Sequence, residues 1–230
     1  MMKRFAFAVA AALLVSSAAQ AQVLNFEGVN STYPSGFAFV NNFYNGGTSS
    51  DLTSGTNFGI TFSSNAQAIC LNSLTVNCSN TSRGGLGDPT SQRGGLFFLS
   101  GAQTFMNRAG GFTTGFSFFY VSLNQPGSFT VWDGLGGTGN VLASLTLTPN
   151  AGSCPGYSAG FCPFSAAGVS FAGTAFSVSF AGVANQIVFD DVTFGSSTPG
   201  TVVPEPATVA LTAAGLLAMA AAAHRRRQTV

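Results

Sequence analysis

Three carboxylates are the side chains best suited to hold an ion: Glu27 near one end of the chain, and the adjacent Asp190 and Asp191 near the other. Carboxylates brought side by side repel unless a cation bridges them. Calcium, a hard ion that takes six to eight oxygens, is the cation an exported protein meets. The three converge only if the first and last strands of the fold lie together. In a regular strand Asp190 and Asp191 point to opposite faces, so only one is a side-chain ligand unless a bulge intervenes. The same acids also read as solvated charges on a sheet edge.

Most other chemistry fails on inventory. Residues 22–198 contain no histidine and no lysine, since His224 and Lys3 lie outside them. A Ser–His–Asp triad, a Cys–His pair, a Schiff base and a histidine-ligated zinc are therefore excluded there. A glycosidase needs two acids flanking the bond, and Asp51, Asp88 and Asp133 sit among turn-forming residues where aspartate is ordinary. The domain is expected to be non-catalytic, with no cofactor beyond a structural calcium. Three basic side chains against six acids give residues 22–198 a net charge of −3. That surface cannot neutralise phosphates, so nucleic acid is not a partner. Trp132 and Tyr120 are the rings that could stack on a sugar, although alternation along the strand assigns Trp132 to the buried face. Arg83-Gly84-Gly85-Leu86 recurs as Arg93-Gly94-Gly95-Leu96, reading either as a loop presenting two guanidinium groups to an acidic sugar or as a turn.

All four cysteines lie in the same segment, as Cys70, Cys78, Cys154 and Cys162. Each near pair encloses seven residues and a turn-rich stretch, Asn72-Ser73 in one and Pro155-Gly156 in the other. Even number and exported context favour two disulfides over a metal cluster. Four cysteines allow three connectivities, and the local pairing 70–78 and 154–162 is the favoured one.

The elements that must position these groups read as strands. Short runs of Phe, Val, Thr and Ser alternate between Gly, Asn and Pro. The expected strands are 23–27, 37–43, 59–62, 95–99, 114–120, 128–132, 141–147, 168–171, 176–180 and 186–194. Within Ser128–Trp132 and Ser177–Phe180 every second residue is apolar, so one face is buried and the other wet. No stretch of 22–198 carries a helical period. The expected fold is an all-β antiparallel β-sandwich, jelly-roll-like, with the many phenylalanines filling the space between two sheets.

Both termini read as addresses. Lys3 and Arg4, the apolar run Phe5–Val15 and Ala19-Gln20-Ala21 make a signal peptide over 1–21, cut before Gln22. A domain over 22–195 and a linker over 196–202 follow. Then come Pro204-Glu205-Pro206, an apolar stretch 207–223, and Arg225-Arg226-Arg227. Seventeen residues at ~1.5 Å rise give about 25 Å of helix, at the short end of a bilayer span, with the arginines holding its end in the cytoplasm. A permanent anchor fits the same physics. Residues 203–227 closely resemble the PEP-CTERM sorting tail of bacterial exported proteins. That resemblance implies signal peptidase and exosortase as partners and cleavage near the Pro-Glu-Pro triplet. It also implies transient inner-membrane anchoring in a Gram-negative bacterium, then delivery to the cell surface or an extracellular, exopolysaccharide-rich biofilm matrix.

Inside the domain, Asn25-Phe26-Glu27 and the last strand with Asp190-Asp191 resemble jelly-roll carbohydrate-binding and MAM-like modules, which carry a Phe-Glu pair first and an Asp-Asp pair last. The expected function is a non-catalytic structural protein of the surface or matrix; the alternative is a calcium-assisted carbohydrate-binding module.

Overall fold

Alternation at period two lets a chain bury one side of each strand. The chain does so in two antiparallel sheets that face each other. The computed structural model describes residues 22–30, 37–71, 94–152 and 160–200. The expected signal peptide, the expected sorting tail with Pro204, Glu205, Pro206, Arg225, Arg226 and Arg227, the cysteines Cys78 and Cys154, and Arg83 and Arg93 lie outside the described residues. No helix among the described residues is long and apolar enough to cross a membrane.

In chain order the strands are β1 (Gln22–Leu24), β2 (Phe37–Phe39), β3 (Ile60–Phe62), β4 (Gln67–Ile69), β5 (Leu96–Phe97) and β6 (Gln103–Phe112). There follow β7 (Gly115–Ser122), β8 (Gly127–Trp132), β9 (Val141–Leu147), β10 (Ser165–Ser170), β11 (Ala175–Ala181) and β12 (Ile187–Phe194). A seven-stranded sheet runs β10-β7-β12-β5-β4-β2, with β1 also paired to β12. A five-stranded sheet runs β3-β6-β11-β8-β9. The expected all-β antiparallel sandwich is the fold observed.

Phenylalanine fills the gap between the sheets. Phe118 and Phe189 of one sheet and Phe129 and Phe180 of the other are all fully buried. The Phe118 and Phe129 rings meet edge-to-face at 4.8 Å, and those of Phe180 and Phe189 lie 4.8 Å apart. Such ring pairs add about 0.5–1.5 kcal/mol each beyond the area they bury.

Two strands escape the sequence reading, β4 and the ten-residue β6. In β6 the pattern is broken by Arg108 and by Gly110-Gly111. Five steps along β6 oppose two along β11 between the pairs Asn107–Ser177 and Phe112–Ala175, so a wide bulge interrupts the alternation. The guanidinium of Arg108 lies over the Phe194 ring at 5.3 Å, which places a charged residue against the core.

The wet-face expectation holds for β8, where Phe129 and Val131 are buried and Ser128 and Thr130 are half-buried. It fails for Ser177–Phe180 of β11, where Ser177 and Ser179 are buried as well as Val178 and Phe180, and β12 is buried along its whole length. A second apolar cluster covers the outer face of the seven-stranded sheet, built on Ile69, Leu71, Phe97, Val121, Phe161 and Val188. Cys70 and Cys162 flank this cap and both are disulfide-bonded.

Candidate binding face

The first and last strands do pair, Gln22 with Phe194 through Leu24 with Val192. Three residues further along the same edge of β12, Phe189 pairs with Leu96 of β5. Asp190 and Asp191 therefore lie where β12 exchanges one partner for another. The chain leaving β1 meets the chain entering β5 at this point. Gly94 lies so close that a Cβ there would fall 2.3 Å from the Phe26 carbonyl oxygen, an approach only glycine permits.

A bulge does intervene. Asp190 opposes Phe119 and Thr193 opposes Ser117, so β12 carries one extra residue, and Asp191 takes a left-handed φ of 45°. The extra residue resets the alternation: Ile187 and Phe189 before it, and Val192 and Phe194 after it, all belong to the inter-sheet core.

The acids serve the backbone at this join. The Asp191 N–H donates to Asp190 Oδ1 at 2.7 Å, and the Gly94 N–H donates to Glu27 Oε1 at 3.1 Å. Asp190 and Asp191 are buried, which corrects the reading of them as solvated edge charges. Among the described residues no three acidic, histidine or cysteine side chains gather in a way that could hold a metal ion.

The aromatic candidates part company. Tyr120 is a core residue only 7% exposed, and its hydroxyl donates to the Thr148 carbonyl at 3.1 Å. Stacking on a sugar is therefore not open to Tyr120. Trp132 corrects the alternation argument: Phe129 and Val131 face inward, so Trp132 lies on the opposite, outer face of the five-stranded sheet. There it pairs across from Ser177 and is half-buried, and its Nε1–H reaches Ser179 Oγ at 3.4 Å.

That outer face carries a loop that folds back onto its own sheet. Between β8 and β9 the chain makes a single 3-10 turn, Leu135–Gly137. The Gly136 N–H donates to Asn107 Oδ1 at 2.6 Å, and the Gly137 N–H to Ser177 Oγ at 3.0 Å. Gly137, at φ 75°, lies against the Phe105 ring, where a Cβ would come within 2.4 Å. Beside the loop is an open cleft of about 470 Å³, lined by Asn45, Gly59, Thr61, Asn107, Ala109, Leu135 and Gly136. Neither Asn45, Thr61 nor Asn107 carries a sequence signal. From sequence the glycine-rich loop 134–139 reads only as a turn between two strands.

Asp133 closes the loop at its base. The Asn140 side-chain amide donates to Oδ2 at 2.8 Å and its backbone N–H to Oδ1 at 2.5 Å. These bonds, the side-chain one first, hold the Asp133 carboxyl below the usual carboxylate range. A depressed folded-state value means the clasp is fully formed above the ordinary aspartate value and is lost as pH falls through the lower one. The amide resonance of Asn140 followed by NMR should therefore titrate with a midpoint below 3.8. A midpoint at or above that value contradicts the clasp.

No family model matches the chain. No curated protein matches it either. Among solved structures, the carbohydrate-binding module CBM6cm-2 of Cellvibrio mixtus lichenase 5A, in complex with cellotriose, aligns with a TM-score of 0.34 and 11% identity over 58% of this chain and 88% of that module. At that score and identity the likeness does not extend to a ligand.

Proposed function

We propose that this chain is an exported bacterial surface or matrix protein, sorted by its C-terminal tail, whose non-catalytic sandwich holds polysaccharide. The observation that carries the domain's part is the inequality of its two outer faces. One carries the apolar cap around Phe97, Phe161 and Val188, while the other carries an open cleft lined by hydroxyl, amide and small apolar groups. Catalysis finds no support in the acids: Glu27, Asp133 and Asp190 each accept backbone hydrogen bonds that shape loops. Signal peptidase and exosortase are the processing partners in this reading, and exopolysaccharide is the final one.

The local disulfide pairing 70–78 and 154–162 belongs to the same proposal, since both pairs would staple the cap over the seven-stranded sheet. So does the structural calcium expected at Glu27, Asp190 and Asp191, which the chelator arm below tests.

Intact-mass analysis of the protein recovered from the producing cells, with and without a functional exosortase, tests the sorting. A chain starting at Gln22 and ending near Pro204–Pro206 only when exosortase works is the expected result. The full tail retained in both strains would leave a plain anchor. Retention of the mature protein on the cells' own exopolysaccharide, with calcium and with chelator, tests the domain. Saturable binding supports the proposal and its loss on chelation supports the ion; absence of binding in both overturns the polysaccharide role.

A further inference from the structure

We infer that the cleft between β3, β6 and the 133–140 loop is a subsite for a neutral polysaccharide, which deepens and depends on the polysaccharide-binding reading above. A sugar-binding cleft needs a few hydrogen-bonding groups that converge on an apolar floor. Asn107 supplies one. Its Oδ1 is fixed by the Gly136 N–H, so its Nδ2 is the free end, with no partner among the described residues. The Thr61 hydroxyl, paired across the strands with Asn107, and the Asn45 amide are the other two, also without side-chain partners among the described residues. Leu135, 48% exposed, and Ala109 give the apolar surface on which the C–H face of a ring can lie.

Access is open from above. Gly59 at φ 66° and Gly136 at φ 64° both line the cleft, and no atom lies within 4 Å of where either would carry a Cβ. A flat ring can therefore approach the backbone itself. About 470 Å³ is within the ordinary range for a site that takes a small ligand segment.

Charge decides the ligand class. Among the described residues no ionisable side chain lines the cleft, so none of them would select a carboxylated or sulfated polymer over a neutral one. Asp133, in the adjoining loop, is occupied by Asn140 and would repel an anion. The wall offers hydroxyl and amide groups, which exchange hydrogen bonds with sugar hydroxyls in either direction.

Affinity electrophoresis of the mature exported chain tests this, with the neutral and the acidic fractions of the cells' own exopolysaccharide cast into separate gels. Retardation by the neutral fraction is expected, insensitive to salt because no ion pairs form. Ala109→Trp, at an exposed strand position, fills the cleft and should weaken retardation about 10-fold or more, equivalent to ~1.4 kcal/mol. Thr61→Val keeps the side-chain shape, removes the hydroxyl and should weaken it several-fold with the melting temperature unchanged. Retardation by the neutral fraction that neither variant alters overturns this subsite while leaving polysaccharide binding standing. Retardation by the acidic fraction alone overturns the ligand class. Retardation by neither fraction overturns both the subsite and the reading it depends on.

Discussion

Replacing Phe118 with alanine should destabilise the domain by about 4 kcal/mol, the largest effect of any single truncation proposed here. The ring is fully buried and is the hub of the inter-sheet core. Its centroid lies 4.8 Å from Phe129, 5.4 Å from Phe189 and 5.7 Å from Phe180, so it touches both sheets at once. Truncation loses the transfer free energy of the ring and leaves a cavity that flanking β-strands, fixed by their ladders, close poorly. Against a usual total of ~5–15 kcal/mol, that is a large share of the margin. Phe176→Ala, at a half-buried position outside the inter-sheet core, should cost well under half as much. Urea denaturation measures both. A Phe118→Ala unfolding free energy within about 1 kcal/mol of the parent's would mean the sheets do not depend on that ring.

The second large effect is expected at the bulge of β12. Asp190 is fully buried and its carboxylate accepts the Asp191 N–H, which the bulge has removed from the ladder. Asp190→Ala removes the acceptor of that buried N–H and should cost about 2–3 kcal/mol. Asp191→Gly should cost less. At φ 45° the backbone is in the region glycine enters freely, so relief of backbone strain offsets part of the cost of losing the side chain. The ratio of the two effects, read by thermal unfolding, is the diagnostic. An Asp190→Ala variant as stable as Asp191→Gly would show that the carboxylate does not shape the bulge.

The sheets were legible wherever alternation was clean. Val141–Leu147 is a strand with the expected bounds, and β8, β11 and β12 begin and end within a residue of expectation. Pairing of first and last strands was legible too, from the jelly-roll-like fold class, in which those strands commonly lie side by side. What failed was anything set by three-dimensional context. β6 hides behind Arg108 and a glycine pair, because the bulge that absorbs them exists only opposite β11. Trp132 was assigned inward by an apolar count, although strict period two from Phe129 and Val131 leads to Asp133. Tyr120 looked available because its partner, the Thr148 carbonyl, lies on a loop 28 residues away. The cleft was invisible for a similar reason. Asn45, Thr61 and Asn107 are ordinary polar residues on three separate segments, and only the fold-back of the 133–140 loop assembles them.

The sealed cap and the open face give the molecule a direction. In the proposed arrangement the disulfide-bearing loops protect the seven-stranded sheet, while the five-stranded sheet meets the surrounding polymer. Among the described residues no ionisable group lines its cleft, so the contact strengthens through many weak hydrogen bonds along a polymer rather than one tight ion pair.

Hydrogen exchange of the mature chain, with and without the neutral fraction of the cells' exopolysaccharide, tests this account most directly. The prediction is slowed exchange at residues 59–61, 107–109 and 135–137, with β2 and the cap unchanged. Slowing confined to β2, whose Phe37 and Phe39 side chains are 46% and 40% exposed, would put polymer binding on the other sheet and contradict the account.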